Sequence, residues 1–172
     1  MPNFDIESFK SNFEGGAKSY LFYFLPRFPA IDKFGLDGDK VTYLVKSTTL
    51  PENTLEEILT NWQGADYKMA GKYTYADFTI TFNVDKDAKI LKLFHSWQDL
   101  IHNPVTNVHS VPSIYMVDQQ RLQLLDNDGN AAVTYILHHT WPKSIGPVTL
   151  DYATNEIATV EITFTYQYHT IS

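Results

Sequence analysis

Residues 159–169 read TVEITFTYQYH, and their alternation decides the fold class. Val160, Ile162, Phe164, Tyr166 and Tyr168 fall on one side of an extended chain, and Thr159, Glu161, Thr163, Thr165, Gln167 and His169 fall on the other. Successive side chains of a strand point to opposite faces, so the segment is a strand with one apolar and one wetted face. Such a strand belongs to an antiparallel sheet, which can leave one side in water.

The same period recurs toward the N-terminus. Residues 74–84 (TYADFTITFNV) alternate with one slip near Ala76, and residues 41–47 alternate as well. Residues 19–25 (SYLFYFL) form a compact aromatic strand closed by Pro26 and Pro29, which cannot donate to a ladder. Residues 55–63 are strand-like, and ADYKMA at 65–70, flanked by Gly64 and Gly71, reads as a hairpin arm. Residues 114–125 and 131–140 read as two strands around a DNDG turn at 126–129. Trp141-Pro142 and Gly146-Pro147 read as loop punctuation, and an Asp37-Gly38 turn marks residues 26–40 as an exposed loop or hairpin insertion. At the N-terminus, Phe4, Ile6, Phe9 and Phe13 predict a short amphipathic helix or docking arm within residues 1–18, ended by Gly15-Gly16.

One segment carries a convincing helical period. After Asp85 or Asp87, either able to cap, Ile90, Leu91, Phe94, Trp97, Leu100 and Ile101 recur at three and four until Asn103-Pro104. Its Ile90, Phe94, Trp97 and Ile101 face is expected to pack on a sheet. The expectation is a mainly β chain: an antiparallel β-barrel or two-sheet sandwich flanked by one α-helix, one domain over residues 1–172.

Composition excludes several function classes. Cysteine is absent among the 172 residues, so neither disulfides nor thiolate metal sites can form. Thirteen Lys and Arg against twenty Asp and Glu leave a net charge of −7, opposite to what phosphate binding requires. Residues 47–66 and 148–172 hold no Lys or Arg at all. MPNFDIESFK lacks the basic and apolar regions of a signal peptide, and no apolar run approaches a membrane span, so a soluble chain made in the cytoplasm is expected. The eleven Phe, eleven Tyr and three Trp exceed what a small monomer easily hides, which points to an interface.

The search for chemistry predicts no enzyme, no cofactor and no metal. His138 and His139 are neighbours on a strand and point to opposite faces, and His95 and His102 are too far apart on the helix for one ion. DNDGN places Gly129 fourth instead of sixth and Leu137 at the twelfth position of a calcium loop. Glu56 and Glu57 are adjacent and diverge, unlike a glycosidase pair. No nucleophile elbow and no phosphate-cradling glycine loop with Lys occurs. A carbohydrate-binding sandwich is the reading of another class, to be separated by sugar titration.

Residues 140–169, TWPKSIGPVTLDYATNEIATVEITFTYQYH, resemble the tail tube proteins of T-even-type contractile-tail phages. The resemblance rests on Trp141-Pro142, Gly146, Leu150-Asp151-Tyr152 and Asn155-Glu156-Ile157 ahead of the aromatic strand. Upstream, Gly16-Ala17 with Leu21-Phe22, Leu50-Pro51, Gly71 with Thr74, Asp77-Phe78 and Thr79, and Phe94 with Trp97 follow in order. Residues 27–40 are longer than the family's first hairpin, and Tyr152 and His169 stand where the family has Trp. The resemblance implies a virion structural subunit: homohexameric rings that stack into a tube inside a contractile sheath and conduct viral DNA, assembled in the host cytoplasm. It implies as partners the sheath protein, baseplate tube initiators, the tape measure protein and the tail terminator, with DNA passing unbound and no membrane insertion. The alternative is the tube of a type VI-like or extracellular contractile injection system carrying protein effectors. Under this resemblance the loop with Ser47, Leu50, Pro51, Glu52 and Thr54 is expected to contact the next ring, and Glu57 and Glu161 are expected to face the lumen.

Overall fold

The computed structural model describes residues 5–13, 15–31 and 34–172, so Phe4 of the N-terminal arm lies outside the described residues. Two four-stranded sheets form the body. The first orders β1 (Phe22–Leu25), β8 (Gln120–Leu125), β9 (Ala131–His138) and β12 (Tyr168–Ile171); the second orders β10 (Trp141–Ile145), β11 (Thr159–Thr165), β5 (Phe78–Asn83) and β2 (Val45–Thr48). Every pairing is antiparallel. Among the described residues β3 (Asn53–Trp62) and β4 (Ala65–Tyr75) pair only with each other, as do β6 (His102–Asn103) and β7 (Val108–His109). The described residues form a sandwich and no closed barrel.

The helices are α1 (Ile6–Phe13), α2 (Gly38–Leu44), α3 (Lys89–Ile101) and the turn α4 (Pro112–Tyr115). More than one helix therefore accompanies the sheets: α3 supplies Ile90, Leu93, Phe94 and Trp97 to the core, and α2 supplies Val41. β5 alternates with Phe78, Ile80 and Phe82 buried, as its period requires. The Phe164 ring lies 6.4 Å from Phe24 of the first sheet, 5.8 Å from Phe94 and 6.3 Å from Trp97 of α3. Both sheets and α3 thus share one core.

Several expected elements differ. Residues 41–47 split: Asp37 caps α2, accepting from Lys40 N at 2.9 Å, and only Val45 onward is strand. The alternation of VTYLVKS is equally compatible with two helical turns once a cap exists. Asp37-Gly38 is thus a helix start; before it, residues 26–31 and 34–37 form no helix or strand, with Arg27, Ala30 and Gly35 exposed, Pro29 and Leu36 buried, and Phe28 edge-on against Trp97 at 5.8 Å. Residues 114–116 lie in and beside α4, whose Pro112 stands in the first turn, where a missing N–H costs nothing. Trp141-Pro142 opens β10, and Pro142 is tolerated because β10 is an edge strand. At α3, Ala88 occupies the cap position at φ 52°, and Asp85 Oδ1 takes up Ile90 N at 2.9 Å.

The deciding segment also bends. β11 ends at Thr165, and after Tyr166 and Gln167 the chain joins the other sheet as β12. The inward parity flips across this corner. Tyr166 is buried, Tyr168 is exposed, and His169, expected on the wet side, is buried.

Candidate functional site

The β3–β4 ribbon is the feature that the sandwich does not use. Its strands of ten and eleven residues extend about 33 Å at 3.3 Å per residue. Gln63 and Gly64, at φ 49° and 83°, make the two-residue turn whose positive φ values match hairpin twist. Every residue of β3 is exposed, and in β4 only Gly71 and Tyr75 are not. At Gly71 a Cβ would stand 2.9 Å from Glu56 O, so the irregular register beside Leu55 and Glu57 requires glycine there.

Register assigns the faces. Ile58 opposes Met69, Thr60 opposes Tyr67 and Trp62 opposes Ala65, so these share one side. Ile58 is 51% exposed, Met69 42%, Tyr67 63% and Trp62 72%. Leu55, Leu59 and Tyr73 are exposed on the other side. An isolated two-stranded hairpin is marginal in water, and apolar side chains on both faces make it more so.

The acidic character expected of residues 47–66 is partly cancelled by the partner strand. Lys68 Nζ lies 3.1 Å from Glu57 Oε2, and Lys72 Nζ lies 3.8 Å from Glu56 Oε2. Sequence reading missed these pairs because the lysines lie across the turn. They are exposed pairs, each worth about 0–1 kcal/mol. Glu161 is exposed on the outer side of β11, opposite Thr81, and makes no ion pair among the described residues. In the loop at 47–54, Ser47, Leu50, Glu52 and Thr54 are exposed, whereas Pro51 is buried. On α3, Ile90, Phe94 and Trp97 are fully buried beside Leu93, and Ile101 is half-buried.

The ribbon is rooted in an aromatic cluster. Tyr75 at the end of β4 meets the ring of His169 at 5.2 Å, with Tyr135 at 5.5 Å and Tyr166 at 5.8 Å from the same imidazole. Tyr166 OH donates to Glu52 O at 3.3 Å, and Ala76 N donates to the same oxygen at 3.2 Å. Burial raises the Tyr166 hydroxyl to about 12 and lowers His169 below the ordinary imidazole value. Among the described residues His169 Nδ1 is buried without a hydrogen-bond partner. A histidine kept neutral in the fold binds fewer protons than the unfolded chain between its lowered value and about 6.5. Stability is therefore complete above about pH 6.5 and falls as the pH drops below it. His169→Phe is expected to flatten urea-derived stability between pH 7 and 5; an unchanged slope contradicts the assignment.

Among the described residues each four-stranded sheet leaves two strand edges open: β1 and β12 of one, β10 and β2 of the other. A groove of about 490 Å³ beside β1 is lined by Tyr20, Tyr23, Tyr43 and Lys46 among others. Elsewhere the polar clusters are structural. Asp126 Oδ1 accepts from Asp128 N and Asn130 N at 2.9 and 2.8 Å and so shapes the turn. His138 Nδ1 lies 2.6 Å from Asp118 Oδ1 and stacks on Tyr168, while His139 ends the strand at φ 55°. No helix among the described residues is long and apolar enough to cross a membrane.

The model of a family described as phage tail tube protein matches residues 18–172. The tail tube protein gp19 of Enterobacteria phage T4 is 26% identical over 135 residues, 76% of this chain and 82% of that protein. The tail tube protein of Serratia phage KSP90 is 32% identical over 113 residues, 64% of this chain and 63% of that protein. In fold, the chain is similar to one in the PVC sheath-tube complex of an extracellular contractile injection system in its extended state. That likeness has a TM-score of 0.59 at 15% identity and covers 94% of this chain and 96% of the other.

Proposed function

The chain belongs to the phage tail tube protein family, and on that premise we propose that its exposed ribbon and open sheet edges are closed by neighbouring copies in hexameric rings. It is a structural subunit of a phage tail tube. The observation that carries the ring proposal is the β3–β4 ribbon, which exposes large apolar side chains on both faces and is covered by no other element among the described residues. β1 and β12 end the same sheet, so β12 of one copy can extend β1 of the next without leaving an edge. A head-to-tail contact of this kind closes when six rotations complete the circle, and ring stacking adds an axial contact. Ser47, Leu50, Glu52 and Thr54 offer the exposed part of the loop for that axial contact, with Pro51 bracing it from inside.

The rings stack into a hollow tube within a contractile sheath and let viral DNA pass. Its partners are the sheath protein, the baseplate initiators, the tape measure protein and the terminator, and assembly takes place in the host cytoplasm. The subunit performs no catalysis. A passage for DNA must not hold phosphates, and cationic walls would do so by releasing counterions. Glu161, on the outer face of β11 and without an ion pair among the described residues, is assigned to the lumen wall together with Glu57, whose charge Lys68 offsets in the single chain. Phages carrying Glu57→Lys with Glu161→Lys are expected to build normal tails yet eject DNA more slowly or in lower yield. Ejection at wild-type speed and yield overturns the lumen assignment.

A further inference from the structure

We propose that the β6–β7 turn carries a two-histidine site for a divalent transition metal: zinc, nickel or copper(II). His102 and His109 are direct cross-strand partners. Ser110 N donates to Ile101 O at 3.0 Å, which makes 101 and 110 a hydrogen-bonded pair and 102 and 109 the neighbouring non-hydrogen-bonded one. Side chains approach most closely at that position. The two imidazoles indeed lie face to face, their centroids 3.9 Å apart and their planes 9° from parallel.

Metal–imidazole bonds of about 2.0–2.1 Å put two nitrogens on one ion about 3 Å apart. Each lone pair lies in its ring plane, so the stacked rings must rotate out of parallel for both to reach one ion, and the close cross-strand position leaves them within reach of that turn. His102 Nε2 donates to Asn107 Oδ1 at 2.9 Å, leaving the Nδ1 lone pair free for a metal. A carbonyl holding the remote N–H is the outer partner that ligating histidines use to fix their tautomer. The turn is already ordered: Asn103 Oδ1 accepts from Val105 N at 2.9 Å and Thr106 N at 3.1 Å, and Asn107 N donates to Asn103 O at 2.8 Å. Both histidines are exposed, so an ion can enter.

No group of three or more His, Asp or Glu among the described residues could complete a cage. Water fills the remaining positions, and the ion exchanges freely. Borderline metals that accept imidazole nitrogen fit this donor set, whereas calcium and magnesium, which require oxygen, do not. The earlier exclusions stand, because they concerned His138 with His139 and His95 with His102, not this pair.

The test uses untagged full-length chain, stripped with chelator and titrated with zinc or nickel chloride at pH 7.5. The expected result is one saturable equivalent per chain, with the His102 and His109 ring resonances perturbed first and the melting temperature rising with metal by mass action. His109→Gln is expected to abolish the saturable step, Asn107→Gly to weaken it roughly tenfold to a hundredfold, and His95→Gln to leave it unchanged. Acidification should weaken the binding, because protons compete with the metal for the ligating nitrogens. Absence of a saturable step in the wild type, first perturbation of His138 or His139, or His109→Gln binding like wild type overturns the proposal. In those cases the rings merely stack.

Discussion

Trp97→Ala lowers the unfolding free energy by roughly 3–5 kcal/mol, the range for deleting a fully buried large aromatic. Trp97 is wholly buried, with ring centroids of Phe28, Phe94 and Phe164 at 5.8, 6.4 and 6.3 Å. Its indole Nε1 donates to Tyr115 O at 2.9 Å, so truncation also leaves that carbonyl unpaired and loosens α4. Because Phe164 belongs to β11 and Phe28 to residues 26–40, the cavity opens where helix, sheet and insertion meet. Urea unfolding of the monomer reads the change. A loss below about 1 kcal/mol, typical of a peripheral site, contradicts the shared core.

The second large effect is on assembly. Ile58→Lys with Met69→Glu puts opposite charges at a cross-strand pair, so the ribbon keeps its register while one apolar face turns polar. Both side chains are exposed in the single chain, so monomer stability should shift by only about 0.5 kcal/mol. At the centre of an interface such changes cost about 2 kcal/mol or more, roughly thirtyfold in an association constant, repeated at each contact of the ring. Tubes seen by electron microscopy should disappear while circular dichroism of the monomer stays the same. Tubes at wild-type yield would place the ribbon outside the subunit contacts.

Much of this was legible because period two and period 3.6 are direct imprints of burial. The inward residues of β5 and β11 follow from alternation, and Ile90, Phe94 and Trp97 lie at helical spacing on the buried side of α3. What escaped reading shares one cause: tertiary context changed direction without changing pattern. The corner at Tyr166 and Gln167 sends the chain to a second sheet, with Gln167 N donating to His138 O at 3.0 Å, yet the aromatics keep their spacing through it. Residues 41–44 alternate like a strand, but the Asp37 cap and Thr42, whose hydroxyl donates to Phe24 O at 2.7 Å, hold them helical. Pro142 reads as a break until β10 is known to be an edge.

The assembly surface was legible only in part. Composition announced surplus aromatic surface, but register was needed to gather Ile58, Met69, Tyr67 and Trp62 on one face. The charge argument fared less well, because Lys68 and Lys72 lie across the turn from the acids they neutralise. The histidine pair at 102 and 109 escaped because the two residues meet only when the segment after α3 folds back on itself.

A cryo-electron reconstruction of the tail tube from intact virions tests the central claim most directly. It should show the β3–β4 ribbon of each copy covered by an adjacent copy, and one four-stranded sheet continued across each subunit boundary. A ribbon left in solvent, or a tube wall built of another polypeptide, would contradict it.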